Sequence, residues 1–392
     1  MRIFEIHGAR VDEHPTLAPL ARPGACQGGY LWLSLTRSEL RAELARVQPV
    51  LEALCGTQLL DLHVSDLLND QLPSHYDYTS LYDVLVLRRL AAGALAGAGT
   101  DATGDAPAAA PPPARGGGPP VLRRVDTRPV GFAVFDRVLL SVHPEDGAVR
   151  DAYAQKLLAA VRGSGNGVRE GAATPALDAR AVSTRIPTSP ADLMLRLANQ
   201  IVDGYLDLRR QLTRQLDHWQ AELIDPKSRF TNWSALMDAR QSLHHLDEIC
   251  EDQRAALQDW IDALETLPQP DSPGDARERE LVLVRSRDVL EHIERVVHHV
   301  RRLEQNAETA VQMHFSVQSH RTNDIMRVLT VLTAVFLPLN LIAGIFGMNF
   351  EFIPLVHKAD GFWIAMGSMG VTAFGLVALF WRKRYLARTG QG

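Results

Sequence analysis

The chain has 392 residues, 46% of them hydrophobic and 22% charged, with a formal net charge of -5. That length allows two or three domains, or one large domain with a membrane anchor. The mild acidity argues against a nucleic-acid binder, which carries a basic surplus, and the last quarter of the chain is much more apolar than the rest.

Cys26, Cys55 and Cys250 are widely separated and odd in number, which excludes a disulfide framework or a CxxC metal site and fits a reducing compartment. Met1 to His7 hold no long apolar stretch and no small-residue cleavage site, so no secretory signal is expected and the soluble part is predicted to stay in the cytoplasm.

Residues 1–90 read as mixed α/β: short apolar runs at Tyr30–Leu33 and Tyr82–Leu87 predict strands, with a helical pattern from Arg37 to Leu54 between them. Residues 91–120 are low-complexity Ala/Gly/Pro with almost no large side chains, a composition predicting a disordered insertion. A hairpin is expected over Val121–His143, with Val130–Phe135 and Val138–Val142 flanking Asp136 and Arg137. A second Gly/Ala/Ser-rich linker covers 163–187, so residues 1–188 form one cytoplasmic α/β domain.

From Ser189 onward the chain reads as helical. Ser189 followed by Pro190 is a start signal, an N-cap and then proline at the first helical position. Helical patterning runs to about Leu223, resumes from Trp233 to Leu267, and breaks at Pro268, Pro270 and Pro273. One very long helix then runs from about Ala276 toward the C-terminal spans, giving a helical bundle and stalk over 189–324. It carries a heptad: Val289, Ile293, Val296, Val300, Leu303, Ala307, Ala310, His314 and Val317 alternate at spacings of four and three, a seam that requires a partner helix. The partner is either another helix of the same chain or the same helix of another copy, and continuity with a membrane segment favours a symmetric bundle of identical stalks.

Residues 325–386 read as a two-helix membrane domain. Val328–Phe346 and Phe362–Trp381 contain no charged residue, and each approaches the ~20 residues needed to cross the hydrocarbon core. Arg321 and Arg327 precede the first span and Arg382, Lys383 and Arg384 follow the second, whereas the loop holds Glu351, His357, Lys358 and Asp360 with no cationic excess. This places both termini in the cytoplasm. Asn323, Met326, Leu329, Thr333, Leu337, Asn340 and Gly344 follow one another at spacings of three or four, forming one stripe on the first span. Polar groups facing lipid are costly, so the stripe either lines a water-filled axis or packs against the second span.

The stretch from Asn323 to Met326 through Leu337-Pro338 and Ala343 to Glu351, with Gly347-Met348-Asn349 at the outer end of the first span, resembles the CorA family of divalent-cation transporters, strongly over about residues 276–386. The resemblance implies an α+β fold with a long helical stalk, assembled as a homopentameric funnel in the inner (plasma) membrane. It further implies that Gly347, Met348 and Asn349 form the selectivity filter, and that Asn323, Met326, Leu329, Leu337, Asn340 and Gly344 face the pore with Thr333. A ring of neutral Asn349 carbonyls suits Mg²⁺, which sheds its water reluctantly. The resemblance also implies gating by cytoplasmic cation, with Asp288 at the position of a regulatory carboxylate; otherwise Asp288 is a solvated stalk residue. Pro354 followed by Leu355 and Val356, together with Gly361-Phe362-Trp363, looks more like the zinc-transporting branch, but that branch often has Val where this chain has Met348; the cation, at once substrate and regulator, is Mg²⁺ by preference, with Co²⁺ and Ni²⁺, or Zn²⁺.

The remaining signals are bland. His244-His245 and His298-His299 sit about 100° apart on a helix, so neither pair chelates one ion alone and both read as solvated or packed. No phosphate-cradling loop, no HExxH and no nucleophile constellation is present. The chain is therefore read as a non-enzyme without covalent cofactor or ATP. A membrane-tethered coiled-coil scaffold is the competing class, and the polar stripe argues against it.

Overall fold

The computed structural model describes residues 1–8, 10–17, 28–91, 126–165, 186–224, 233–268, 270, 272–348 and 360–382. The chain divides into two compact units, Met1–Gln220 with Phe230–Ala307, and Ala221–Arg229 with Glu308–Gly392.

The first unit is built on a sheet of β1 (Arg2–His7), β2 (Arg10–His14), β3 (Tyr30–Thr36), β4 (His75–Tyr78), β5 (Asp83–Leu90), β6 (Thr127–Val134) and β7 (Val138–His143), in the order β2-β1-β3-β7-β6-β5-β4. Every pairing is antiparallel except β3 with β7, which run parallel with Leu31 opposite Val138 and Thr36 opposite His143. A parallel pair is covered on both faces, and every residue of β3 and β7 is buried.

Alternation along these strands assigns the faces. Leu31, Leu33, Leu35, Val138, Leu140 and Val142 join a core with α1 (Arg37–Cys55) and α2 (Asp61–Leu68) through Leu40, Val47, Leu51, Val64 and Leu67. The intervening Trp32, Ser34, Ser141 and His143 point to the other face, where Tyr153 of α3 (Ala148–Gly165) meets Trp32 edge-on at 5.9 Å.

Local chemistry sets the ends of α1. Thr36 and Glu39 form a capping box. At the other end Gly56 takes φ 74°, a left-handed conformation that glycine adopts without penalty, and donates to the Glu52 carbonyl. Helix α3 continues to Gly165, into the stretch read from the sequence as linker; the Ala/Gly/Pro insertion from 92 onward, residues 121–125 before the hairpin, and 166–185 lie outside the described residues.

Helices α4 (Pro190–Ile224), α5 (Trp233–Thr266) and α6 (Pro273–Phe346) follow. Ser189 caps α4, its Oγ accepting from the Asp192 amide at 3.3 Å while the Asp192 carboxylate accepts from Thr188 N at 3.1 Å. Within the first unit, α4 runs parallel to α6: Asp192 pairs with Arg285, Asn199 Oδ1 lies 3.1 Å from His292 Nδ1, and Thr213 Oγ1 lies 2.9 Å from His299 Nε2. α5 runs antiparallel to α6: buried Trp260 donates to Ser286 Oγ at 3.1 Å, and Arg301 binds Asp247 at 3.0 Å and also Glu251.

This three-helix bundle bears on the two partners that the heptad left open. Val289, Ile293, Val296, Val300, Leu303 and Ala307 are all buried inside the single chain. Their partners within the chain are therefore α4 and α5: a heptad demands a covering helix, and two neighbours in the same chain supply it.

Candidate functional site

The second unit holds Glu308–Phe346 of α6 and α7 (Gly361–Arg382), and both helices are long and apolar enough to cross a membrane. His314 Nδ1 lies 3.0 Å from the carbonyl of Leu223 at the end of α4. Ala310 is buried, His314 and Val317 are half-buried, and beyond them α6 is largely exposed.

Two arcs separate on the membrane part of α6. Val331 is buried, and Ala334, Val335, Pro338, Leu339, Ile342 and Phe346 are half-buried. By contrast, Asn323, Met326, Leu329, Thr333, Leu337, Asn340 and Gly344 are all exposed, with Leu337 at 72%. At about 100° per residue the centres of the two arcs lie roughly 160° apart. On α7, the buried Gly361 and Ala365 continue into half-buried Met369, Thr372, Ala373, Leu376 and Phe380, again one stripe at helical spacing. From Leu329 to Gly344 the sequence-predicted polar stripe thus lies on the side of α6 that its own chain leaves uncovered, whereas Asn323 and Met326 border a cleft shared with α7.

The polar groups of that span are held differently. Thr330 Oγ1 donates to the Met326 carbonyl at 2.7 Å, and Thr333 Oγ1 reaches the Leu329 and Thr330 carbonyls at 2.9 and 3.0 Å. These back-bonds satisfy the hydroxyl protons without a second helix. Pro338 lacks an N–H and leaves the Ala334 carbonyl without its usual donor. Asn323, Met326, Arg327, Thr330 and Val331 line, with Phe380 of α7, a cleft of about 380 Å³. Sequence reasoning used Arg327 only for orientation and did not single out Phe380, since no local pattern joins residues on separate helices. Arg327 lies 3.5 Å from Asp324.

At its C-terminal end α6 closes with Gly347 N donating to Ala343 O at 2.9 Å and Met348 N to Ile345 O at 3.3 Å. A Cβ at Gly347 would sit 3.0 Å from the Ala343 carbonyl, a tight fit that favours glycine at this turn. Gly347 and Met348 are exposed; Asn349 and the loop with Ile353, Pro354 and Leu355 lie outside the described residues.

Asp288 belongs to the first unit, with a side chain 63% exposed and His292 Nε2 4.0 Å away. No group of three or more His, Cys, Asp or Glu side chains able to hold a metal occurs among the described residues. His244, His245 and His298 are exposed, and His299 is half-buried, its pKa pushed down by burial and by Arg209 and Arg302.

A mixed-sheet domain, an intrachain helical bundle and two membrane-length helices joined beside a Gly-Met turn define a two-span membrane protein with a large extramembrane body. The sequence profile of the CorA-like Mg2+ transporter protein family matches residues 120–384, and the chain belongs to that family. It is 28% identical over 194 residues to the cobalt/magnesium transport protein CorA of Thermotoga maritima, covering 50% of this chain and 52% of that one, and 26% identical over 194 residues to the putative metal ion transporter YfjQ of Bacillus subtilis, covering 50% and 57%. The chain thus spans little more than half the length of these curated relatives. Among solved structures, that of the CorA magnesium transporter from Methanocaldococcus jannaschii superposes with a TM-score of 0.63 at 15% identity, covering 100% of this chain and 98% of that one. The full-length CmaX protein gives 0.57 at 17% identity, covering 98% and 97%. Both likenesses establish the fold.

Proposed function

We propose that the protein is a homopentameric transporter that passes hydrated divalent cations, Mg²⁺ by preference and also Co²⁺ or Ni²⁺, across the inner (plasma) membrane. The observation that carries this reading is the uncovered stripe from Asn323 to Gly344, set opposite the covered arc of α6. Such a stripe on an isolated anchor would put the Asn340 amide and Thr333 into lipid at a cost; placed around a common axis, the same groups are hydrated. Family membership over 120–384 supports the class of cargo.

In this reading Gly347, Met348 and Asn349 form the outer filter, where Asn349 carbonyls accept hydrogen bonds from the first-shell waters without stripping them. Asn340 and Gly344 follow inward, then Leu337, Thr333, Leu329 and Met326, with Asn323 at the inner mouth. The apolar members gate by dewetting. Arg321, Arg327 and Arg382 keep both termini cytoplasmic. Transport makes and breaks no covalent bond and runs down the electrochemical gradient without ATP. Asp288 contributes a carboxylate to a cytoplasmic cation site completed by the neighbouring copy.

The decisive experiment is flux of Mg²⁺, Co²⁺, Ni²⁺ and Zn²⁺ into liposomes holding the purified chain, with Asn349→Ala beside it. Selective Mg²⁺ flux that collapses in the variant, with the oligomer intact, is expected. Absence of flux for every ion sinks the transport reading, and wild-type rates in the variant remove Asn349 from the filter. Zn²⁺ transport is the second reading, favoured by Leu355 after Pro354 and by Gly361-Phe362-Trp363; preferential Zn²⁺ flux in the same assay selects it.

A further inference from the structure

Five buried side-chain polar atoms among the described residues have no hydrogen-bond partner, and four of them belong to cationic or imidazole groups at one corner of the sheet: Arg37 Nε, Arg89 Nε, Arg150 Nη1 and His143 Nδ1. Buried donors and acceptors are seldom left unpaired, so a cluster of them calls for an explanation. The corner is where β3, β5 and β7 end and α1 and α3 begin, a location at which open α/β sheets hold ligands. Arg37 opens α1, Arg89 lies near the end of β5, His143 ends β7 and Arg150 sits in the first turn of α3.

The existing bonds leave each group part-used. Arg89, 3% exposed, binds Asp146 and the Leu90 carbonyl. Arg150 binds Asp151 at 2.9 Å, while its Nη1, 3.5 Å from Glu39, makes no hydrogen bond. Arg37 binds the Pro129 carbonyl, and its pKa is lowered by burial. Gly147, at φ +53°, stands where a Cβ would lie 2.7 Å from Arg150 Nη2, so glycine is what lets this guanidinium tuck in.

His143 fixes the chemistry. Ser141 Oγ donates to Ser34 Oγ at 3.2 Å and accepts from Trp32 Nε1 at 2.8 Å, so the His143 Nε2 beside it at 2.9 Å is the donor of that contact. The neutral ring then turns a bare lone pair at Nδ1 into the arginine corner. Protonating it is costly: burial first, then Arg150 and Arg89, hold its pKa down at about 3. The corner therefore offers several guanidinium donors and one acceptor.

We propose that this corner binds a hydrogen-phosphate group, whose oxygens take the unspent N–H groups of Arg37, Arg89 and Arg150 and whose P–OH donates to His143 Nδ1. Guanidinium suits phosphate geometrically. The lone pair discriminates: sulfate carries no proton to give and meets Nδ1 with its own lone pairs. The group enters from the sheet end, where Ser38, Arg128 and Glu145 are exposed.

The test is thermal unfolding of the full chain in detergent at pH 7 and constant ionic strength, with chloride replaced by phosphate or by sulfate. Both anions strengthen burial generally, so sulfate is the control. Phosphate at about a hundredfold excess over its Kd raises Tm by on the order of 5–10 °C, sulfate adds little beyond chloride, and Arg37→Gln weakens the apparent affinity at least about tenfold. A glycerol 3-phosphate arm distinguishes a site for any phosphoryl group from one for the free ion. Equal effects of phosphate and sulfate, or no effect of phosphate, overturn the proposal on the wild-type chain alone. An unchanged response in Arg37→Gln also overturns it.

Discussion

Truncating Leu303 to alanine tests where the heptad seam of α6 finds its partner. Leu303 is 3% exposed within one chain, covered in the bundle with α4 and α5. Removing a buried leucine costs its transfer free energy plus a cavity term, about 2–5 kcal/mol. At roughly 2–4 °C per kcal/mol for a sizeable domain, Tm of the full chain should fall by about 4–20 °C. Leu337→Ala is the matched control on the same helix, because its side chain is 72% exposed and opens no cavity within the chain. Differential scanning fluorimetry reads Tm and native mass spectrometry reads the oligomer. An oligomer that falls apart in Leu303→Ala while Tm stays unchanged would refute the intrachain packing and return the seam to neighbouring stalks.

Two further outcomes are expected. The folded pKa of His143, about 3, lies below the ~6.5 of an unfolded histidine, so between these values the unfolded chain binds a proton that the folded chain does not. Stability from this group is full above about pH 6.5 and is lost as pH falls toward 3, by at most ~1.4 kcal/mol per pH unit; Tm against pH in phosphate-free buffer should be flatter in His143→Gln, and parallel curves would contradict this. Asp288→Ala should weaken inhibition of flux by cytoplasmic Mg²⁺ severalfold, and unchanged inhibition makes Asp288 a solvated stalk residue.

Much of this fold is legible in the residues. The Asp136-Arg137 turn between two apolar runs marks the β6–β7 hairpin, and Ser189-Pro190 marks the start of α4 to the residue. Among what escapes, β4, His75–Tyr78, is a four-residue edge strand with no aliphatic side chain, and α2 has only eight residues, too few for a helical period to show; the 18-residue α3 escapes as well, although Tyr153 and Leu157 are buried. The heptad announces that Val300 and Leu303 need a partner but not which one, since covering by α4 or by another stalk asks the same of the pattern. The polar stripe is legible because it lies on a single helix. The corner of Arg37, Arg89, His143 and Arg150 is not, because strand order and no local spacing brings those residues together.

The back-bonded threonines carry a consequence for charge sign. Because the hydroxyl protons of Thr330 and Thr333 are spent on backbone carbonyls, each hydroxyl faces outward as lone pairs only. Water around a cation points its hydrogens away from the ion, toward such acceptors, whereas water around an anion points its hydrogens inward and asks its surroundings for donors. In the proposed pore, the threonine stretch of a wall without formal charge thus has a polarity of its own, accepting from the hydration shell of a cation, while the Asn323 and Asn340 amides keep donors as well as acceptors. On that proposed reading Thr333, though uncharged, favours the hydration shell of a cation and leaves no electrostatic trap for a doubly charged ion to fall into.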